Sequence, residues 1–209
     1  MTLSPAELLT AGAEALGQPL DPRSHEQLGE FVNILRQWNR THNLTAITDP
    51  RQMVIQHVLD AMSIVPYVNT GSVLDLGTGG GIPGLPLAIL LPGSEFTLLD
   101  SRRKKTEFLR FASNHLGLAN VDVVCARIED YRPDRKFDTL TARALMSVGD
   151  LLTVAGHLLE PPVRVVHMKG QEPVQELSQL APDLAERTRV VHLEVPFLDA
   201  RRCAVLTDY

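Results

Sequence analysis

Two rhythms divide the chain. Over residues 1–70 the apolar positions recur at helical spacing. Leu28, Phe31, Val32, Leu35 and Trp38 form one stripe; Val54, Val58, Met62 and Val65 form another. Helix-start signals precede them. Ser4-Pro5-Ala6-Glu7 joins a capping serine to a proline at the first helical position and a glutamate at the third. Ser24-His25-Glu26-Gln27 predicts a second start. Asp49-Pro50-Arg51-Gln52 predicts a third, for a helix that Asn69-Thr70-Gly71 ends. Trp38 lies on an apolar stripe and is expected in the core.

From Ser72 the period changes. Short β-branched runs predict strands at Val73–Leu76, Phe96–Leu99, Val121–Cys125, Asp138–Ala142, Arg164–Met168, Val190–Val195 and Cys203–Thr207. Helices are predicted between them at Pro83–Leu91, Lys104–Leu116, Val148–Leu159 and Val174–Ala181. Such alternation implies βαβ units around a parallel sheet. The expected organisation is a helical extension over residues 1–70 and an α/β domain over residues 71–209.

Composition narrows the class. The chain has 209 residues, 44% hydrophobic and 22% charged, which suits one ordered globular core. No apolar run approaches a membrane span and no signal-peptide core opens the sequence, so a cytoplasmic protein without a membrane partner is expected. Cys125 and Cys203 both stand in apolar strand-like runs and are expected as buried thiols, not as a disulfide or a metal pair. The net charge of −5 argues against wholesale coating of nucleic acid but leaves room for a local basic face. Arg102-Arg103-Lys104-Lys105 begins one, unless that run is simply a solvated helix face.

The chemistry concentrates at Asp75-Leu76-Gly77-Thr78-Gly79-Gly80-Gly81, between a predicted strand and a predicted helix. Glycines there let the backbone approach a ligand, and the helix start offers free N–H groups to an anion. The spacing is Gly-x-Gly-x-Gly, not the Gly-x-Gly-x-x-Gly of dinucleotide enzymes. Gly84 completes neither pattern. The form with Asp two residues ahead resembles motif I of class I S-adenosylmethionine methyltransferases.

Further runs make the resemblance specific. They are Asn43-Leu44-Thr45-Ala46-Ile47, His57-Val58-Leu59-Asp60, Gly81-Ile82-Pro83-Gly84-Leu85-Pro86, Leu99-Asp100-Ser101, Arg127-Ile128-Glu129-Asp130, Ala142-Arg143-Ala144 and Met168-Lys169-Gly170. In this order the chain resembles the bacterial small-subunit ribosomal RNA methyltransferase G family over nearly its whole length. Ala142 departs from the serine common in that family before the arginine. The resemblance implies a Rossmann-like seven-stranded sheet whose last hairpin adds one antiparallel strand. It also implies S-adenosyl-L-methionine as cofactor and guanine N7 of a 16S rRNA hairpin as substrate. The partner would be 16S rRNA or the small ribosomal subunit, with no DNA and with a monomeric enzyme.

Site roles follow from the same resemblance. Gly77, Gly79, Gly81 and Ile82 would line the methionine part of the cofactor. Asp75 would hold its amino group or cap the turn, and the two roles are compatible. Asp100 would take the ribose hydroxyls; as a plain sequence feature it is equally a helix N-cap. Ile128 and Glu129 resemble the family's adenine pocket. Arg143, Lys169 and Arg127 would hold phosphates or the cofactor carboxylate, with Lys104 and Lys105 extending the surface. An arginine gripping the N7/O6 edge is excluded, because N7 must stay open to the methyl group. No general base is expected. His57 and Asp60 share a helix face without enough neighbours for a metal site. The role of Asn43 is open between capping and substrate contact. A small-molecule methyltransferase and a non-catalytic RNA-binding assembly factor are the alternatives.

Overall fold

The computed structural model describes residues 3–209. Helix α1 (Pro5–Ala15) carries the expected capping box: Glu7 N donates to Ser4 Oγ and Ser4 N donates to the Glu7 carboxylate at 2.7 Å. Helix α2 (Pro22–His42) starts before the Ser24 signal. Asp21 caps it, accepting from Arg23 N at 2.9 Å and Ser24 N at 3.0 Å. An aspartate ahead of a proline captures the free N–H groups first, so Ser24 falls inside the first turn.

Helix α3 (Pro50–Met53) starts at Asp49 as expected. It continues as a π-helical turn, Val54–Leu59, and as α4 (Asp60–Met62). The helix stops there and not at Gly71. Pro66 lacks an N–H, and a short 3-10 turn, Val65–Tyr67, takes over.

The sheet has seven strands: β1 (Ser72–Leu76), β2 (Glu95–Asp100), β3 (Val121–Cys125), β4 (Thr139–Arg143), β5 (Arg164–Lys169), β6 (Thr188–Leu193) and β7 (Arg202–Asp208). Their order is β3-β2-β1-β4-β5-β7-β6. Only β7 runs against its neighbours β5 and β6; the other pairs are parallel. The crossover helices are α5 (Gly84–Leu90), α6 (Arg103–His115) and α7 (Val148–Val154). The expected Val174–Ala181 helix is cut short to α8 (Val174–Leu177), and a separate short helix, α9 (Pro182–Glu186), follows it.

Side chains alternate across the strands and divide the core. Val73, Phe96, Leu98, Val166 and Met168 face α5, α6 and the N-terminal helices, whose Leu28, Phe31, Leu35, Met53 and Leu59 join the same cluster. Leu74, Leu76, Leu99, Leu140 and Ala142 face α7. The helical extension therefore supplies much of one core layer. Cys203 is buried as expected, but Cys125 is exposed. It ends β3, the edge strand, where no further strand covers it. Among the described residues no helix is long and apolar enough to cross a membrane.

Removing residues 1–71 would strip that layer from Leu85, Ile89 and Phe108. The remaining fragment is expected to aggregate on size exclusion. A monomeric fragment that unfolds cooperatively would show that the α/β part closes its own core.

Candidate functional site

The site forms where β1, β2 and β4 end. After β1 the chain turns through Gly77–Gly81, and this turn is tied to β2. Thr78 N donates to Leu99 O at 3.1 Å and Gly79 N to Asp100 Oδ2 at 3.0 Å. Gly77, Gly79 and Gly81 take φ of +63°, +60° and +80°, the left-handed region that glycine adopts without strain.

The three glycines face different surroundings. A Cβ on Gly79 would meet nothing nearer than Lys105 Nζ at 3.4 Å and Gly77 O at 3.8 Å. This face is open to a ligand. A Cβ on Gly77 would run against Leu145. On Gly81 it would come within 2.9 Å of Leu85 Cγ and 3.1 Å of Leu109 Cδ2. The α-carbon of Gly81 thus turns to the core, where its lack of a side chain lets the loop pack on α5 and α6. Ile82 is buried beside it.

Asp75 is fully buried. Its Oδ1 accepts from Thr141 Oγ1 at 2.8 Å and its Oδ2 from Gly84 N at 3.0 Å. The carboxylate thereby pins the start of α5 to β1 and β4. Gly84, which lies outside both glycine patterns, is explained here too: a Cβ there would run against Leu98 and stand 2.7 Å from Asp75 Oδ2. Burial pushes the Asp75 carboxyl up to about 6, against the hydrogen bonds that favour its charged form.

Asp100 is 6% exposed. Besides Gly79 N it accepts from Arg102 N at 2.8 Å, and Lys105 Nζ lies 3.6 Å from its Oδ2. The N-cap position of α6 is Arg102, without a side-chain cap. Asp100 therefore fastens the glycine turn to the approach of α6 instead of capping that helix. Lys105 turns inward to this carboxylate, while Lys104 is exposed. After β3 a 3-10 turn, Ile128–Asp130, buries Ile128 against the Leu99 layer and leaves Arg127 and Glu129 exposed.

Arg143 and Lys169 part company. Arg143 stands opposite Met168 in register, so Lys169 lies one residue further along and on the other face of the sheet. Arg143 turns to the N-terminal helices. Its Nη1 donates to Asp60 Oδ2 at 2.9 Å and Gln56 O at 2.8 Å, and its Nη2 to His57 Nδ1 at 3.1 Å. Lys169 Nζ donates to Met146 O at 2.9 Å and pairs with Glu176 at 2.8 Å. Neither cation is bare.

His57 and Asp60 are thus the partners of Arg143. Arg143 only donates, so Nδ1 of His57 is the acceptor towards it; the same nitrogen lies 3.0 Å from Gln56 O, and Nε2 lies 2.9 Å from Thr45 Oγ1. Burial and the Arg143 charge hold His57 down at about 4. Asp60 also faces Arg202 Nε at 3.3 Å, and burial raises its carboxyl against both cations. Asn43 ends α2 at φ +50°, and Asn39 exchanges two 2.9 Å hydrogen bonds with Thr45 just beyond it. Asn43 is therefore seen as a turn residue. Thr141, Leu145, Asn39 and Arg202 carried no signal in the sequence. Thr45 stood inside a flagged run without a role.

With this geometry in hand, the chain can be set beside known proteins. Residues 24–205 match the family described as rRNA small subunit methyltransferase G. The chain is 44% identical over 197 residues to a ribosomal RNA small subunit methyltransferase G of Hydrogenovibrio crunogenus, covering 94% of this chain and 91% of that one. It is 44% identical over 203 residues to the protein of that name in Burkholderia thailandensis, covering 93% and 87%. In fold it is similar to the O-methyltransferase TomG of Streptomyces achromogenes. That match has a TM-score of 0.56 at 19% identity and covers 86% of this chain and 89% of the other.

The His57 network has a pH signature. The folded pKa of about 4 lies below the ordinary 6.5, so the unfolded chain takes up a proton that the folded chain refuses. Stability from a neutral His57 is complete above about pH 6.5 and is lost as the pH falls towards 4. The advantage of wild type over His57→Gln should therefore shrink by up to about 3 kcal/mol across that window. Denaturant titrations at several pH values would measure it, and a gap independent of pH would mean that His57 is not held neutral.

Proposed function

The chain belongs to the rRNA small subunit methyltransferase G family, and we propose that it transfers a methyl group from S-adenosyl-L-methionine to N7 of a guanine in 16S rRNA. One observation carries the cofactor assignment beyond family membership. The open face of Gly79 lies beside the Asp100 carboxylate, at the carboxyl ends of β1 and β2. Ligands of doubly wound sheets bind at such strand ends. Both Asp100 oxygens already hold a backbone N–H and keep a lone pair each for ribose hydroxyls.

In this reading Gly77, Gly79 and Ile82 border the methionine part, and Gly81 shapes the turn from behind. Asp75 acts on that part through the start of α5, which it caps at Gly84 N. Ile128 and Glu129 border the adenine. Arg127 and Lys104 meet RNA phosphates at the rim, where both are exposed. Lys105, Arg143 and Lys169, each held in an ion pair, position the walls of the site.

When bound, S-adenosyl-L-methionine supplies an electrophilic methyl group on a sulfonium. The protein has to place a guanine against it. Guanine N7 carries an in-plane lone pair and no proton near neutral pH, so no side chain needs to remove one. The protein's contribution is positioning and a prearranged electrostatic environment. His57, saturated by Thr45 and Arg143, is a strut and not a base. Membership in the rRNA small subunit methyltransferase G family supports a cytoplasmic enzyme.

Primer extension after chemical cleavage at 7-methylguanine, on rRNA from cells lacking the protein, tests the reaction directly. A 16S stop that disappears without the protein and returns on complementation is the expected result; unchanged stops would sink the assignment. Gly79→Asp sets a second carboxylate beside Asp100 at a left-handed backbone position. Cofactor binding by calorimetry should weaken by at least ~2 kcal/mol. The rate at saturating substrates should stay nearly flat from about pH 7 to about pH 8.5. A steep limb assigned to one side chain, with binding intact, would require a base after all.

A further inference from the structure

Helices α2 and α6 lie side by side and share a ladder of rings. Trp38 is 4.8 Å from His42, 5.6 Å from Phe108 and 5.2 Å from Phe111 between centroids. Phe111 is 5.6 Å from His115 with the planes only 24° apart. Phe108 is fully buried and anchors Trp38 from below. Phe111 is 43% exposed and the His115 side chain 48%, with His115 Nε2 3.1 Å from the Glu30 carboxylate. The ladder thus runs from the core to an open edge.

Its surroundings are charged and polar. Lys104, Phe111 and His115 fall at positions i, i+7 and i+11 of α6 and share one face. Glu107, Arg110 and Asn114 around Phe111 are exposed. No broad apolar patch surrounds the ring, as a docked protein helix would want. A row of rings that ends in exposed Phe111 and His115, with Lys104 on the same helical face, suits an unpaired nucleobase.

The ladder is also continuous with the site. Helix α6 begins three residues after Asp100, and the end of α2 abuts the glycine turn: a Cβ on Gly80 would meet Leu35 Cδ1 at 3.3 Å and Leu44 O at 3.6 Å. Sequence-specific RNA recognition favours unpaired nucleotides whose bases stack on aromatic side chains. We propose that His42, Trp38, Phe111 and His115 form a stacking platform for unpaired bases of the RNA strand that carries the target guanine. This rests on the rRNA methylation reading above.

The test is the initial rate of methyl transfer to 16S rRNA and to small ribosomal subunits from cells lacking the protein, at subsaturating RNA. Phe111→Ala and Phe111→Leu should each lower kcat/KM for RNA roughly tenfold, whereas Phe111→Trp should hold it. Leucine keeps apolar bulk without a π-face, which separates stacking from packing. The loss should not change with salt, because stacking releases no counterions, while the loss in Lys104→Ala should shrink as salt rises. Cofactor affinity should match wild type, and each variant should remain folded at the assay temperature. Wild-type kcat/KM in Phe111→Ala and Phe111→Leu would overturn the platform alone. So would a variant that alters only the oligomeric state, since a second copy would then be the occupant. A wild-type protein inactive on both substrates would remove the rRNA reading itself, and the platform with it.

Discussion

Arg143 is a guanidinium drawn largely out of water at the carboxyl end of the central strand β4, and its solvation has to be replaced. Asp60, His57 and the Gln56 carbonyl replace it from the helical segment, and Arg202 of β7 approaches the same Asp60 from the other side. Taking away one partner of such a pair leaves an uncompensated charge, at a cost of about 3–5 kcal/mol. That asymmetry fastens three parts of the chain at one point: the π-helical turn with α4, the end of β4, and the start of β7. The residues just past Arg143 inherit the constraint. Ala144 sits at φ +50°, and Leu145 lies over Gly77. A site whose loops are positioned this way is held by charge compensation at its base.

A second carboxylate organises the other side. Asp75 has no exposure and spends its acceptors on Thr141 and Gly84 N. The start of α5 thereby gains an acceptor for an N–H that no helical carbonyl can reach. That contact and the Leu98 side chain leave no room for a side chain at residue 84. The glycine turn is thus held from behind by Asp75, from the side by Asp100, and from the N-terminal helices by Leu35 and Leu44. The helical extension belongs to the architecture of the site through this last contact as much as through the core it completes.

Parallel strands with alternating side chains also separate functions that look alike in sequence. Arg143 and Lys169 both end strands, both are cations, and both are paired. Register sends one to the face of the N-terminal helices and the other to the face of α7 and α8. A similar division occurs in Arg102–Lys105. Lys104 shares a face with Phe111 and points outward, while Lys105 reaches Asp100. Position along a helix or strand decides whether a cation is a surface charge or part of the wall.

The sequence by itself determined the periods. Apolar positions at helical spacing marked the first 70 residues, and short β-branched runs alternating with helices marked the rest. Asp49-Pro50 and Ser4-Pro5 marked helix starts that the structure keeps, because caps and prolines act through bonds to the next few residues. The glycine turn and Asp100 were legible for the same local reason, and the joint order of short runs pointed to the family. Only the tertiary structure decided the rest. Asp21 won α2 from Ser24, Cys125 fell on an uncovered edge, Gly81 faced the core, and Gly84 acquired its reason from Asp75. His57 and Asp60 found Arg143 across more than 80 residues of chain. Such contacts are set by strand order and register, which couple residues far apart in sequence. Spacing along one strand or helix does not encode which distant charge will share its burial.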